Sequence, residues 1–278
     1  MATSTGQPGQ PNEDFVGAVP GAAVLLDGAG IPGTESICCH GVAWYTHRLG
    51  GALLGRLSRD DGRNLTAVLA AAIDEIAADH RSTCDITNPS SPQATVAVIR
   101  SRGRWLDYLV LADCFLVLDQ VSGGPLVITD EREVTARRIC LAPLAGVASG
   151  TSEYERVRDS CIEGLQARRN QPDGYWIAKD DPHAAEEAVT GSWPLRDLNS
   201  SALLSNGASR IVSPYALTNW SGMLELLGAS GPAEIIRRVR HAEARRPENP
   251  GATIPDDATV AHCTRFQSHE AVTCTAMP

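Results

Sequence analysis

The chain has 278 residues, 43% hydrophobic and 21% charged, which is enough to bury the core of one large or two ordinary domains. Its formal net charge of −9 argues against a general nucleic-acid binder, because phosphate neutralisation needs a basic surface. No apolar run reaches the roughly 18 residues of a membrane span, and residues 1–11 carry neither a basic cluster nor an apolar core. The first dozen residues therefore read as a floppy tail, and the protein as cytoplasmic.

Residues 15–19 and 22–26 read as two short strands around a Pro20-Gly21 turn. Over residues 34–57, Ile37, Val42, Tyr45, Leu49 and Leu53 recur at about helical spacing. A second helix is expected over 64–80, with Leu65, Leu69, Ile73 and Ile76 on one side. A Ser/Asn/Pro-rich loop over 84–92 leads to four apolar runs, 94–100, 105–112, 115–120 and 125–129, separated by tight turns that predict an antiparallel meander. Ser152-x-x-Glu155 is a capping box and opens a helix to about residue 169. Residues 182–189 read as a shorter helix, 202–205 as a strand, 215–227 and 232–245 as helices, and 259–264 as the final strand. Strands segregated from paired helices, without regular βαβ alternation or a linker, predict a single layered α+β domain.

Gly28-Ala29-Gly30-Ile31-Pro32-Gly33 matches the dinucleotide-binding pattern G-x-G-x-x-G. The context argues against it: position 48 falls inside a helix where a second strand with a terminal acid is needed, and Asp27 would repel a pyrophosphate. The eight cysteines include no C-x-x-C pair, and the short ligand spacing of a zinc site is absent, so they read as buried reduced thiols. His40 and His47 read as helix-packing or surface residues, and Trp105, Trp176, Trp193 and Trp220 as core or loop anchors. The basic stretch with Arg237, Arg238, Arg240, Arg245 and Arg246 reads as a solvated helix face.

What remains is a series of apolar runs that meet an acid or amide at a turn: Val24-Leu25-Leu26-Asp27-Gly28, Leu111-Ala112-Asp113, Leu203-Leu204-Ser205-Asn206-Gly207 and, in reverse, Asp256-Asp257-Ala258-Thr259-Val260. Hard oxygen ligands at strand tips are the parts of a magnesium or manganese site. With Asn12-Glu13-Asp14 in front, this ordered series resembles the motifs of the metal-dependent serine/threonine phosphatases of type 2C, the PPM family, over about residues 12–265. Residues 174–182 resemble a segment of its actinobacterial members.

The resemblance implies a four-layer α-β-β-α sandwich occupying residues 12–266, with residues 267–278 as a C-terminal tail. It implies that Asp27 bridges two Mg or Mn ions and that the carbonyl of Gly28 ligates one. Asp256 and Asn206 would ligate the other, with Asp257 the register alternative to Asp256. Glu13 and Asp14 would act through water, and Asp113 would belong to a third, weaker site. Asp27 and Asp256 would thus serve catalysis through a water activated by the ions, which hydrolyses a phosphoprotein or a small phosphorylated metabolite directly. The departures are Asn206 for the family's Asp, Ala29 for the His of eukaryotic members, Cys114-Phe115 for Ser-Arg, and no Arg before Glu13. They support an alternative reading, a binding or regulatory module that keeps the fold and has lost catalysis. No nucleic acid or membrane partner is expected.

Overall fold

Val24 and Leu26 point to one side of their strand and Ala23 and Leu25 to the other, and both sides are buried. A strand of this kind must lie between two packed layers. The computed structural model, which describes residues 1–30, 36–59, 61–245 and 255–264, shows how the layers form. In chain order the elements are β1 (Ala2–Ser4), β2 (Phe15–Val19), β3 (Ala22–Ala29), α1 (Gly41–Leu57), α2 (Leu65–His80), β4 (Gln93–Arg102), β5 (Trp105–Leu111), β6 (Phe115–Gln120) and β7 (Leu126–Ile128). They continue with α3 (Arg132–Leu141), α4 (Ser152–Gln166), β8 (Val189–Pro194), β9 (Leu198–Leu204), α5 (Asn206–Ser209), α6 (Trp220–Ser230), α7 (Pro232–Ala244) and β10 (Ala258–Thr264).

Two antiparallel sheets of five strands, in the orders β2-β3-β4-β5-β8 and β1-β10-β9-β6-β7, stack face to face. Leu25, Ala97, Val110, Leu116, Leu203 and Ala261 fill the space between them. The outer face of the first sheet buries Val24, Val96 and Leu109 against Tyr45, Leu49 and Leu53 of α1 and Leu69, Ile73 and Ile76 of α2. The outer face of the second buries Val117, Leu204 and Val260 against Met223 and Leu227 of α6 and Ile235 and Val239 of α7. The result is the expected α-β-β-α sandwich, and residue alternation along each strand divides its side chains between two cores.

Several elements differ from expectation. Helix α1 begins at Gly41 rather than residue 34, because residues 36–40 form turns and Gly41 has a φ of +77° that no helix interior accepts. The meander breaks at Ala112: β5 belongs to one sheet and β6 to the other, and the left-handed φ of +61° at Ala112 turns the chain between them. Ala2–Ser4, expected in a floppy tail, is an edge strand beside β10, where Thr3 Oγ1 meets Thr259 Oγ1 at 2.6 Å. The cap of α4 is Thr151, whose side chain accepts from Tyr154 N–H at 3.1 Å, not Ser152. Residues 182–189 form a short turn at Pro182–Ala185 that leads into β8, an edge strand paired with β5. Helix α6 starts at Trp220 behind an Asn219 cap, not at residue 215. The proposed tail at 267–278 and the second half of the glycine pattern, residues 31–33, lie outside the described residues.

Candidate metal centre

Strand register brings the acidic motifs to one end of the sandwich. Phe15 pairs with Leu26, and two steps further Gly28 N–H donates to Glu13 O at 3.1 Å, so between them Asp14 stands beside Asp27. Phe115 pairs with Leu204, and the same register continued outward sets Asp113 across from Asn206. The side-chain amide of Asn206 donates to Asp113 Oδ2 at 2.7 Å, and its backbone N–H donates to Asp27 Oδ2 at 3.1 Å. Strand β10 runs beside β9, with Ser205 N–H on Thr259 O at 3.0 Å, which carries Asp256 to the same rim. Glu13, Asp27, Gly28, Asp113, Asn206 and Asp256 all line one cleft of about 750 Å³.

The close packing is visible at two glycines. A Cβ on Gly28 would sit 2.4 Å from Glu13 O, and one on Gly207 would sit 1.9 Å from Asp257 O. Asp-Gly and Asn-Gly are therefore close-approach pairs here, and both lie on backbone that a side chain would push apart.

The electrostatics are those of negative charge gathered in a buried place, with Arg210 beside Asp256 and Arg137 acting on Asp113 as partial counter-charges. Burial first, then Asp14, Asp256 and Asp113, pushes the Asp27 carboxyl well above its ordinary range, opposed by the Asn206 N–H. Asp14 is 2% exposed, and neither carboxylate oxygen has a hydrogen-bond partner among the described residues. Burial pushes it up to about 7, with Asp257 and Asp256 adding and the Thr259 and Ser205 hydroxyls opposing. Glu13 is pushed up to about 7 by burial and then by Asp257 and Asp256, and Asp113 up to about 6 by burial and then by Glu133. Orphaned buried carboxylate oxygens and an all-oxygen donor set fit a hard divalent cation such as Mn or Mg.

Asp257 is placed differently. Its Oδ1 accepts from Gly6 N–H at 2.7 Å and its Oδ2 from Glu13 N–H at 2.5 Å. Both oxygens hold backbone, and the residue does not line the cleft.

Cationic residues missing from the sequence reading also reach the cleft. Arg210 Nη2 donates to Asp256 Oδ2 at 2.9 Å, and its Nη1 lies 3.5 Å from Glu243. It stands four positions after Asn206, at the end of the single turn of α5, which the sequence did not reveal. Arg137, paired with Glu133 on α3, and Arg169, paired with the Tyr175 hydroxyl at 3.1 Å, also line the cleft. Cys114 is buried between the sheets and Phe115 packs on Trp220 with ring centroids 5.5 Å apart, which is the packing role expected of both. The basic face of α7 is partly self-neutralised, with Arg237 and Arg238 on Glu234 and Arg240 on Glu243.

The chain has the fold of the bacterial metal-dependent serine/threonine phosphatases of type 2C. PstP of Mycobacterium tuberculosis is similar over 95% of this chain and 96% of its own, with 20% identity and a TM-score of 0.55. A PstP catalytic domain in complex with two manganese ions is similar over 95% of both chains, at 21% identity and a TM-score of 0.56. Stp1 of Staphylococcus aureus is similar over 96% of this chain and 94% of its own, at 14% identity and a TM-score of 0.58. No family model and no curated protein sequence matches the chain. No helix among the described residues is long and apolar enough to cross a membrane.

Proposed function

We propose that the chain is a manganese- or magnesium-dependent phosphatase that hydrolyses phosphomonoesters, on phosphoserine or phosphothreonine of a protein or on a small phosphorylated molecule. The observation that carries this reading is the convergence of Glu13, Asp14, Asp27, Asp113, Asn206 and Asp256, from five separate chain segments, on one end of the sandwich. Asp27, the Gly28 carbonyl, Asn206 and Asp256 would hold two ions, Glu13 and Asp14 would act through water, and Asp113 would serve a third. When bound, such ions supply an acidified water and neutralise phosphoryl oxygens.

The chain's own residues do the rest. The Asn206 N–H orients Asp27, and Arg210 pairs with Asp256. Arg137 and Arg169 offer guanidinium donors in the cleft for phosphate or an acidic peptide, while Phe115 and Trp220 give it apolar lining. Hydrolysis of p-nitrophenyl phosphate with Mn, by the natural chain and by Asn206→Asp, tests the reading. Absence of turnover in both, at every metal concentration, rejects it.

A second reading has its own observation. Asn206 contributes no charge, and its amide is engaged with Asp113, while Asp256 is engaged with Arg210. Both arrangements lower affinity for a cation and favour a catalytically impaired binding module. Calorimetry separates the two: two tightly bound Mn ions support the enzyme, and one weakly bound ion supports the module.

A further inference from the structure

Two segments far apart in sequence meet beside the first helix pair, away from the acidic cleft. Cys38, Cys39 and His40 immediately precede α1, and Cys84 follows α2. The backbone ties them: Asp85 N–H donates to Ile37 O at 2.9 Å, one residue from a cysteine on each side. His40 Nδ1 lies 3.3 Å from Cys84 Sγ, 3.9 Å from Cys38 Sγ and 3.8 Å from Cys39 Sγ. Cys39 Sγ lies 3.9 Å from Cys84 Sγ. Cys38, His40 and Cys84 can each place a ligand atom within 4.8 Å of the other two.

We propose that Cys38, His40 and Cys84 form a binding site for a thiophilic divalent metal, zinc above all, with Cys39 as the fourth ligand. A tetrahedral zinc with bonds of about 2.3 Å to sulfur and about 2.0 Å to nitrogen holds its ligand atoms roughly 3.5–3.8 Å apart. Four of the six edges of such a tetrahedron are the separations above, and at 3.3 to 3.9 Å they bracket that length, while Cys38 and Cys84 lie within 4.8 Å of each other. Thiolate and imidazole select zinc over the hard cations that suit the carboxylate cleft, so the two centres discriminate by ligand chemistry. The site is also oriented in advance. The His40 ring stacks on Trp44, with centroids 4.3 Å apart and planes 27° from parallel, and Trp44 meets His80 edge-on at 5.2 Å.

The reading of the cysteines as buried thiols fails for Cys39, which is exposed, and for Cys84, which is partly so, while Cys38 is buried. The ligands escaped short-spacing rules because one of them comes from 44 positions beyond His40 in the sequence. Bound metal would fasten the approach to α1 to the loop that enters β4, the strand on which Thr95 pairs with Asp27.

The test uses the full chain, kept reduced, stripped with a chelator and titrated with Co2+ and then Zn2+. One Co2+ per chain is expected with thiolate-to-metal charge transfer and intense tetrahedral visible bands, both abolished by Zn2+. Cys84→Ser and His40→Ala should lose these bands and at least the ~100-fold in zinc affinity that even outer-shell losses reach. Asp27→Asn should keep them, since its carboxylate belongs to the other centre. Circular dichroism checks that each variant folds, and the unsubstituted chain decides the matter if one does not. Reduced natural protein without a charge-transfer band overturns the proposal, as does a band with unchanged zinc affinity in Cys84→Ser, or a weak octahedral spectrum that disappears in Asp27→Asn.

Discussion

The side-chain amide of Asn206 donates to Asp113 Oδ2 at 2.7 Å, across the register that pairs Phe115 with Leu204. An amide there does two opposite things. It satisfies a buried carboxylate that has no metal, and it withholds a charge that a metal would use. Replacing it by Asp sets two acceptors against each other. Asn206→Asp should therefore lower the melting temperature of the metal-free protein and raise Mn affinity by ~10-fold or more. Thermal denaturation and calorimetric titration, each with and without Mn, report the two changes.

The raised carboxyl groups fix the direction of the pH response. Glu13 and Asp14 at about 7 and Asp113 at about 6 all titrate above their unfolded values, because burial and neighbouring acids favour the neutral form. At these three groups the folded state binds more protons than the unfolded state between about pH 4 and about pH 7, so their contribution to metal-free stability falls as pH rises through that window, opposed near its upper end by His80 and His262, which burial lowers. Melting curves recorded across it should slope downward, and the slope should shrink in Glu13→Gln and in Asp14→Asn. Saturating Mn should flatten it as well. A metal-free protein that gains stability over the same interval contradicts the electrostatic picture.

Arg210 occupies one oxygen of Asp256 and reaches Glu243, which is 4% exposed at its side chain. Arg210→Gln should cost about 1–3 kcal/mol in the metal-free protein, moderated because Arg240 still pairs with Glu243 at 2.7 Å. Freed of a neighbouring cation, Asp256 should bind Mn several-fold more tightly. Denaturant unfolding gives the first quantity and calorimetry the second. Weaker Mn binding in the variant would mean that Arg210 serves to aim the carboxylate rather than to compete for it.

Gly207 is a packing constraint on the same centre. A methyl group there meets Asp257 O at 1.9 Å and Asp256 Cβ at 3.3 Å, so the start of β10 must move. Gly207→Ala should destabilise by about 2–4 kcal/mol and weaken Mn binding together. Gly51→Ala is the control: it has nothing within 4 Å on the exposed side of α1, and the change should be neutral or stabilising by about 0.5–1 kcal/mol.

Elements with a strong apolar period were legible in the sequence. Leu65, Leu69, Ile73 and Ile76 announced α2, and strands segregated from paired helices announced a layered domain, in which β3 and β4 are buried on both faces. Helix α3 was missed because it is charged and buries only Glu133, Ala136 and Cys140, which leaves no apolar stripe to detect. Strand β8 was missed because Val189-Thr-Gly-Ser-Trp-Pro194 carries the residues of a turn, and only an edge position beside β5 tolerates them. The break at Ala112 was hidden because a non-glycine residue takes the left-handed turn. At the centre, the acids were legible as motifs, whereas Arg210, Arg137 and Arg169 arrive from elements with no acid motif of their own.

Asp257 holds the backbone of Gly6 and Glu13 with its two carboxylate oxygens, and Thr3 of β1 meets Thr259 of β10. The first residues and the last strand are thereby coupled to the acidic rim. The amide protons of Gly6 and Glu13 become local reporters of that rim: their exchange with deuterium should slow when Mn occupies the cleft, and trimming the N-terminal dozen residues should impair ion binding from outside the ligand set.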